Sequence, residues 1–338
     1  MQKEAMCYRK VEGKIVDCLL CNHRCRIPEG GRGICGVREN AGGVLYTRSY
    51  GQAISAHVDP IEKKPIFHLA PGSDSFSFAT VGCNFRCGFC QNWQISQVKE
   101  ARRLGFSPTS LSPADIVKSA VRNRCASISY TYTEPTIFFE YAYETSALAK
   151  EKGLYNIFVT NGYMTEEAIE AIRPYLDAAN VDLKAFSETY YREICGAKLG
   201  AVLRSIEKMK ALGIWVEITT LILPHLNDSE NELKGIASFI AGVGAEIPWH
   251  ISRFHPDYRM TDLEATPPET LERAYEIGKE AGLRYVYIGN VAGEENTFCY
   301  RCGALLIRRL GFSVLENVIR GGRCAQCDAV IDGIALSG

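Results

Sequence analysis

Short apolar runs alternate with amphipathic stretches through the middle of the chain, and the two periods predict a regular succession of strands and helices. Residues 75–81 read as a strand followed by a cysteine-bearing loop, and residues 113–122 as a helix with Ser112 as its N-cap. Next come a strand at 126–131, a helix at 137–150 and a strand at 155–160. Thr165 opens a further helix, with Glu166 and Glu167 near the positive end of its dipole. The series continues with strands at 180–183, 214–221, 250–254 and 285–288, and helices at 201–212, 228–240 and 268–281. Alternation of this kind, with short buried strands, predicts a parallel sheet flanked by helices. Six or seven such units fall short of a closed eightfold barrel. The expected fold class is therefore α/β: a partial (β/α)6 TIM-like barrel with small Cys-rich metal-binding modules at both ends. In parallel barrels the chemistry sits on loops after the strand C-termini.

The two ends lack this pattern. Residues 1–70 are loop-rich, with Gly30-Gly31-Arg32-Gly33 and Gly42-Gly43 as turns and a short strand at 44–50. Residues 296–338 place paired cysteines around short strands. Neither end has the apolar mass for an independent core without a metal. The expected division is a Cys-rich metal-binding module at 1–70, the partial barrel at 71–295 and a zinc-ribbon-like module at 296–338.

A formal net charge of -1 argues against a bulk electrostatic hold on nucleic acid or an acidic membrane surface. The longest apolar stretches, such as 214–223, are too short and interrupted to span a bilayer. The opening Met1-Gln2-Lys3-Glu4 lacks the basic-then-apolar layout of a secretory signal, so the expected location is cytoplasmic. Against that background the 14 cysteines stand out. Cys18, Cys21, Cys25 and Cys35 form one group, Cys83, Cys87 and Cys90 a second, and Cys299, Cys302, Cys324 and Cys327 a third. Spacings of two or three residues are what metal coordination from a single loop requires. Cys7, Cys125 and Cys195 stand apart and read as buried small hydrophobes.

The central group carries the chemistry. In Gly82-Cys83-Asn84-Phe85-Arg86-Cys87-Gly88-Phe89-Cys90 the thiols are spaced three residues and then two. Three thiolates can hold three irons of a four-iron cluster, leaving the fourth without a protein ligand and open to a substrate or cofactor. The plain alternative is a zinc knuckle with a remote fourth ligand. Such sites usually supply two local ligand pairs, and this triplet instead ends a barrel strand.

These residues resemble the signature of the radical S-adenosylmethionine superfamily: cysteine, three residues, cysteine, an aromatic, cysteine, with Phe89 at the aromatic position. The resemblance implies the radical SAM type of partial barrel, in which the methionyl amine and carboxylate chelate the open iron. One electron from the cluster then splits the carbon–sulfur bond, giving methionine and a 5′-deoxyadenosyl radical that abstracts hydrogen. In such enzymes the cofactor performs the hard step and the protein positions and shields it. Glu134, in Tyr132-Thr133-Glu134-Pro135, resembles the residue that pairs with the methionyl ammonium, although the family usually has Gly-Gly-Glu there. Val159-Thr160-Asn161-Gly162 and Asp182-Leu183-Lys184 resemble segments of the pyruvate formate-lyase activating enzymes. That likeness implies cofactor contacts for Thr160 and Asn161, for Asp182 through a small cation, and for Lys184 with the methionyl carboxylate. An ordinary barrel-mouth ion pair is the alternative for Asp182 and Lys184. His255 resembles a histidine near the ribose, and Glu217 stands where those activases tend to have an arginine facing the cofactor.

Cys299-x2-Cys302 and Cys324-x2-Cys327 form two symmetric knuckles, the pattern of a closed tetrahedral zinc ribbon, with an iron site or auxiliary cluster as the alternative. Cys18-x2-Cys21-x3-Cys25-x9-Cys35 suits either a structural zinc, the first reading, or a second four-iron cluster, with His23 as a spare ligand. The turn-rich 29–36 stretch can bring Cys35 back to the others. Residues 18–40, then Asp59-Pro60-Ile61-Glu62-Lys63-Lys64-Pro65, then 82–93 and the terminal ribbon together resemble the AmmeMemoRadiSam-system radical enzymes. That resemblance implies AMMECR-type and Memo-type protein partners and supplies no substrate.

The leading expectation is an oxidoreductase-type radical enzyme of the activase-like branch, acting on a protein, peptide or small molecule. A flavodoxin or ferredoxin would be its electron donor. A glycyl-radical-enzyme activating enzyme acting on a partner protein is the first alternative. A non-enzymatic zinc protein that binds nucleic acid is the second, disfavoured by the open three-cysteine site and the net charge.

Overall fold

The computed structural model describes residues 2–337. Its centre is one eight-stranded sheet. In chain order the strands are β1 (Ser55–Pro60), β2 (Asp74–Ala79), β3 (Ser127–Tyr130), β4 (Tyr155–Thr160), β5 (Ala178–Asp182), β6 (Trp215–Ile222), β7 (Trp249–Arg253) and β8 (Val286–Gly289). They lie side by side in that order, with β1 and β8 at the edges. From β2 to β8 every pairing is parallel, and only β1 runs antiparallel to its neighbour β2. Each gap between parallel strands holds one longer helix. These are α1 (Pro113–Arg122), α2 (Phe139–Glu151), α3 (Glu166–Ile172), α4 (Leu199–Ala211), α5 (Glu230–Val243) and α6 (Pro268–Glu280). The partial (β/α)6 barrel expected from periodicity is therefore present, finished by a seventh parallel strand.

Local signals explain several boundaries. Ser112 and Asp115 form a reciprocal capping box at the start of α1, with Pro113 inside the first turn. Thr165 caps α3 by accepting the Ala168 N–H. Strand β1 was not expected. Its side chains, Ser55, His57 and Asp59 among them, are too polar to signal a sheet strand, and its pairing with β2 depends on the whole register from Ser55 opposite Ala79 to Pro60 opposite Asp74.

The floor of the barrel is closed by the chain itself. Residues 65–69 cross the N-terminal ends of the strands, where Asn180 Nδ2 donates to the Pro65 carbonyl at 2.7 Å. Glu217, fully buried near the start of β6, accepts four hydrogen bonds. They come from the backbone N–H of Phe67 (3.0 Å) and His68 (2.8 Å), Trp215 Nε1 (3.0 Å) and His250 Nε2 (2.7 Å). The cofactor-facing position that the activase likeness assigns to Glu217 does not exist here, because the residue lies at the opposite end of its strand from the mouth. Burial works to raise its pKa, but His250, His68 and the Phe67 N–H outweigh that and hold it below the usual carboxylate range. His68 bridges the Asp332 carbonyl and the Tyr287 hydroxyl, and burial keeps it neutral with a pKa lowered to about 4.

The C-terminal three-stranded sheet, with strands Thr297–Phe298, Leu305–Leu310 and Ser313–Asn317, docks beneath this floor. Arg309 is completely buried there, donating to the Phe67 carbonyl at 2.9 Å and to Thr297 Oγ1 at 2.7 Å. The N-terminal segment folds as two small antiparallel sheets, built from strands within residues 3–47. Its apolar residues Val16, Leu20, Ile27, Val37 and Leu45 belong to the same core as the barrel strands.

Replacing Glu217 by alanine should destabilise the fold by about 3–5 kcal/mol, because four buried donors lose their acceptor. Folding lowers the Glu217 pKa, so its contribution is complete above the ordinary unfolded value of about 4.3 and is lost as the pH falls through the lower folded value. Denaturant titrations of wild type and E217A should accordingly differ at pH 7 and converge in acid.

Candidate functional site

The cysteine loop leaves the C-terminal end of β2 through Gly82, whose φ of +111° is a conformation L side chains rarely adopt. A Cβ there would also press within 3.2 Å of the Cys35 carbonyl oxygen and 3.1 Å of Val37. The loop then carries Cys83, Cys87 and Cys90 across the barrel mouth, each sulfur with its own polar neighbour. Cys83 Sγ accepts from the Phe85 N–H at 3.3 Å and from Asn161 Nδ2 at 3.8 Å. Cys90 Sγ lies 3.2 Å from Ser96 Oγ. Cys195 accepts the Arg86 N–H on its carbonyl at 3.1 Å, and its thiol beside Cys87 holds the Cys87 pKa below the usual thiol value against the effect of burial. Cys195 is thus a neighbour of the site rather than inert filling. It arrives on a π-turn, Tyr191–Cys195, that no spacing in the sequence announces.

On the Cys87 side stand Asp182 and Lys184, ion-paired at 2.9 Å, with the ammonium 5.6 Å from the centre of the Phe89 ring. Desolvation works against the Lys184 charge, but Asp182, Cys87 and Cys195 outweigh it and hold its pKa well above the ordinary lysine value. On the Cys83 side, Asn161 Nδ2 donates to Asn84 Oδ1 at 2.7 Å. The Asn161 backbone N–H donates to Glu134 Oε2 at 2.8 Å, and Glu134 Oε1 accepts from Thr160 Oγ1 (2.7 Å), Thr136 Oγ1 (2.5 Å) and Thr136 N (3.0 Å). Burial pushes the Glu134 pKa up, although these donors work the other way. Glu134 therefore locks the ends of β3 and β4 together, with one oxygen carrying three bonds and the other carrying one. His255 lies exposed just beyond β7 and away from this network's hydrogen bonds.

Further parts of the mouth were not foreseen. The segment after β7 straps the cysteine loop: Arg259 N donates to the Gly88 carbonyl at 3.0 Å, and Tyr258 stacks on Trp93 with centroids 5.0 Å apart. A Cβ on Gly88 would approach Met260 Cε to 3.3 Å, so the glycine permits this closeness. Asp59, in the 59–65 segment that carries part of the family resemblance, is buried and pairs with Lys63, Lys64 and the Tyr132 hydroxyl. Lys64 sits 4.4 Å from the Tyr132 ring centre, and Tyr132 adopts a φ of +60° in the turn that carries Glu134. Tyr132 and Thr133, in place of the family's two glycines, are accommodated by that cradle.

The donor set suits an iron–sulfur cluster. Three thiols share one loop, hydrogen-bond donors reach their sulfurs, a cation faces Cys87, and Asn84 Nδ2 and Trp93 Nε1 remain buried without partners. Residues 78–240 match the family model described as the radical SAM superfamily. An uncharacterized protein of Methanocaldococcus jannaschii is 46% identical over 340 residues, covering 98% of this chain and 99% of that protein. The chain belongs to the radical SAM superfamily. The superfamily implies a [4Fe–4S] cluster and S-adenosylmethionine, and its members are enzymes. The chain is also 23% identical to the pyruvate formate-lyase-activating enzyme of Clostridium pasteurianum, over 59% of its own length and 87% of that enzyme. In fold it resembles the crystal structure of Streptococcus suis SuiB bound to S-adenosylmethionine, with a TM-score of 0.51 at 14% identity over 68% of this chain and 53% of that one.

The C-terminal cysteines form a different kind of centre. The sulfurs of Cys299, Cys302, Cys324 and Cys327 all lie within 4.8 Å of one another, with Cys299 to Cys327 at 3.6 Å and Cys302 to Cys324 at 3.7 Å. Tetrahedral zinc with bonds of about 2.3 Å puts its sulfurs about 3.8 Å apart. Among the described residues no helix is long and apolar enough to cross a membrane.

Tyr258→Ala should remove the stack on Trp93 at a cost of about 1 kcal/mol. The Trp93 contribution to the fluorescence should shift to longer wavelength; an unchanged spectrum would mean that Tyr258 does not shield it.

Proposed function

We propose that this radical SAM enzyme holds its catalytic cluster on Cys83, Cys87 and Cys90 and abstracts hydrogen from a substrate bound at the barrel mouth. The observation that carries the reading is the open three-thiol loop on the C-terminal side of a parallel sheet, walled by Phe89, Asn161, Asp182 and Lys184. Bound there, the cluster and S-adenosylmethionine would supply a 5′-deoxyadenosyl radical. The chain's own residues hold and orient the cofactor. Lys184 offers a cation for the methionyl carboxylate, and Asp182 fixes that cation in place or, with a small metal ion, serves the same carboxylate. Glu134 meets the methionyl ammonium through Oε2, the oxygen that carries a single internal bond. Thr160 and Asn161 keep Glu134 and Cys83 in register, and Phe89 supplies an apolar face for the adenine. His255, exposed on the segment after β7, is the candidate for the ribose.

Hydrogen abstraction makes the reaction oxidoreductase-type, with a flavodoxin or ferredoxin as one-electron donor. The similarity to a pyruvate formate-lyase-activating enzyme favours one second reading, a glycyl-radical-enzyme activator whose substrate is a backbone glycine of a partner protein. The segments at 18–40, 59–65 and 82–93, together with the ribbon, support membership of the AmmeMemoRadiSam type, with AMMECR-type and Memo-type proteins as associates and the cytoplasm as its place. We read the C-terminal ribbon as a zinc site, supported by its sulfur spacing.

Anaerobically reconstituted protein given dithionite and S-adenosylmethionine should yield 5′-deoxyadenosine, and Cys90→Ala should reduce that yield to the level of a protein-free control. A clean, fully reconstituted wild type that forms none would sink the enzyme reading. Deuterium appearing in 5′-deoxyadenosine from a labelled peptide or small molecule would identify the substrate class. Cys302→Ser should lose the about one zinc per chain expected for a closed site while leaving the 5′-deoxyadenosine yield intact.

A further inference from the structure

We infer that Cys18, Cys21, Cys25 and Cys35 bind a second, auxiliary four-iron cluster, seated one residue layer from the barrel cluster loop. The four thiols line a single hollow together with His23, Arg38 and Ile137. Their spacing separates them from the C-terminal group. Four sulfurs around one zinc ion must crowd to about 3.8 Å, as the C-terminal sulfurs do. Among the described residues the N-terminal thiols are not drawn together in that way, and the group within 4.8 Å is the C-terminal one alone. The central loop, whose superfamily implies a four-iron cluster, shares this open spacing. In such a cluster each thiolate binds its own iron, so the sulfurs stand further apart than around one ion.

Two independent features prepare the hollow. Gly33 has no positive φ that would demand glycine, and a Cβ there would sit 3.8 Å from both Cys25 Sγ and Cys35 Sγ. Cys25 and Cys35 thus face one another across the bare backbone of Gly33. Arg38 is 1% exposed, with Nη1 donating to Glu140 at 3.0 Å and Nη2 to the Met6 carbonyl at 2.6 Å. Its Nε is left buried without a partner. An orphan donor on a permanent cation beside four thiolates suits an anionic iron–sulfur core, whose sulfurs accept hydrogen bonds and whose net charge needs compensation.

The seat is also next to the radical site. The Cys35 carbonyl packs against Gly82, and His23 Nε2 is hydrogen-bonded to the Asn84 carbonyl at 2.8 Å. Through Nε2, His23 ties the hollow to the cluster loop. Cys21 forms a bridge with Met164, tying the module to the loop after β4.

The test is the metal content of the full chain, purified without oxygen and reconstituted with iron and sulfide. Wild type should hold about eight irons and about one zinc. The triple variant C83A/C87A/C90A should keep about four irons, with the Mössbauer and reduced-state paramagnetic signals of a four-iron cluster. C18A/C21A should lose that population and keep the other. About four irons with about two zincs in wild type, and none of the iron left in the triple variant, would overturn the inference. About four irons in wild type that survive the triple variant unchanged would instead remove the barrel cluster and leave this one standing. If a variant fails to fold, the wild-type iron-to-zinc ratio decides the question alone.

Discussion

Everything above the barrel floor depends on one buried carboxylate. An open parallel sheet leaves the N-terminal ends of its strands facing a core that no helix covers, and here residues 65–69 fill that space with irregular backbone. Irregular backbone is tolerable in a core only if its polar groups are paired. Glu217 supplies the pairing by accepting two consecutive backbone N–H groups, and it binds β6 to β7 through His250. Arg309 meets the carbonyl side of the same segment, so the floor has both an anion and a cation aimed at one turn of chain. Buried charges of this kind are costly to bury and costlier to leave without partners, and their directional bonds fix one geometry where apolar packing would tolerate several. Glu217 thus ties β6, β7 and the floor segment together at the end of the sheet opposite Asp182, Lys184 and the strap over the cysteine loop.

The three cysteine groups show how spacing along the chain and spacing in space carry different information. Two symmetric knuckles on short strands draw four sulfurs to contact around a centre small enough for one ion. The central loop spreads three thiols across a mouth whose walls carry a cation and a carboxylate. The N-terminal group, drawn from a turn-rich segment, surrounds a hollow lined by Gly33 and Arg38. Each geometry follows from its scaffold. A hairpin knuckle curls its backbone around the ion, whereas loops on a large core can stand further off.

Much of the architecture was legible because its signals are local. Helix Pro113–Arg122 and strand Tyr155–Thr160 coincide with the expected ranges, since a capping box marks one and the apolar run Ile157-Phe158-Val159 the other. The signature loop was legible for the same reason, with three thiols and an aromatic within nine residues. What stayed hidden depends on contacts between distant parts of the chain. Glu217 reads as a misplaced charge in an apolar strand until Phe67 and His250 are beside it. Cys195 resembles an ordinary core cysteine until a π-turn brings it to Cys87. Strand Ser55–Pro60 has the composition of a loop, and only the edge of β2 makes it a strand. Tyr132 and Thr133 broke the family pattern without breaking the turn, because Asp59 and Lys64 hold Tyr132 from a segment with no obvious bearing on the mouth.

The two terminal modules are coupled to the barrel in different ways, and this decides what loss of metal would do. The ribbon has its own small core of Leu306, Ile307, Ile319 and Ile331 around Cys299 and Cys324. It meets the floor through polar contacts of Arg309 and Asp332 and through Ile334, which exchanges backbone bonds with His68 and Ala70 and packs against the cluster of Ile61, Ile66 and Leu69. Metal binding and folding are linked in such a unit, so demetallation should loosen it locally and weaken the floor through Arg309. The N-terminal module has no such separate core. Its apolar residues are continuous with those beneath the cysteine loop, and Arg38 reaches Glu140 on α2 through a fully buried ion pair. Disorder around Cys18 and Cys35 would therefore reach Gly82 and α2 directly. The barrel loop and the N-terminal thiols share one core, so a cluster bound at the second site would help to shape the first.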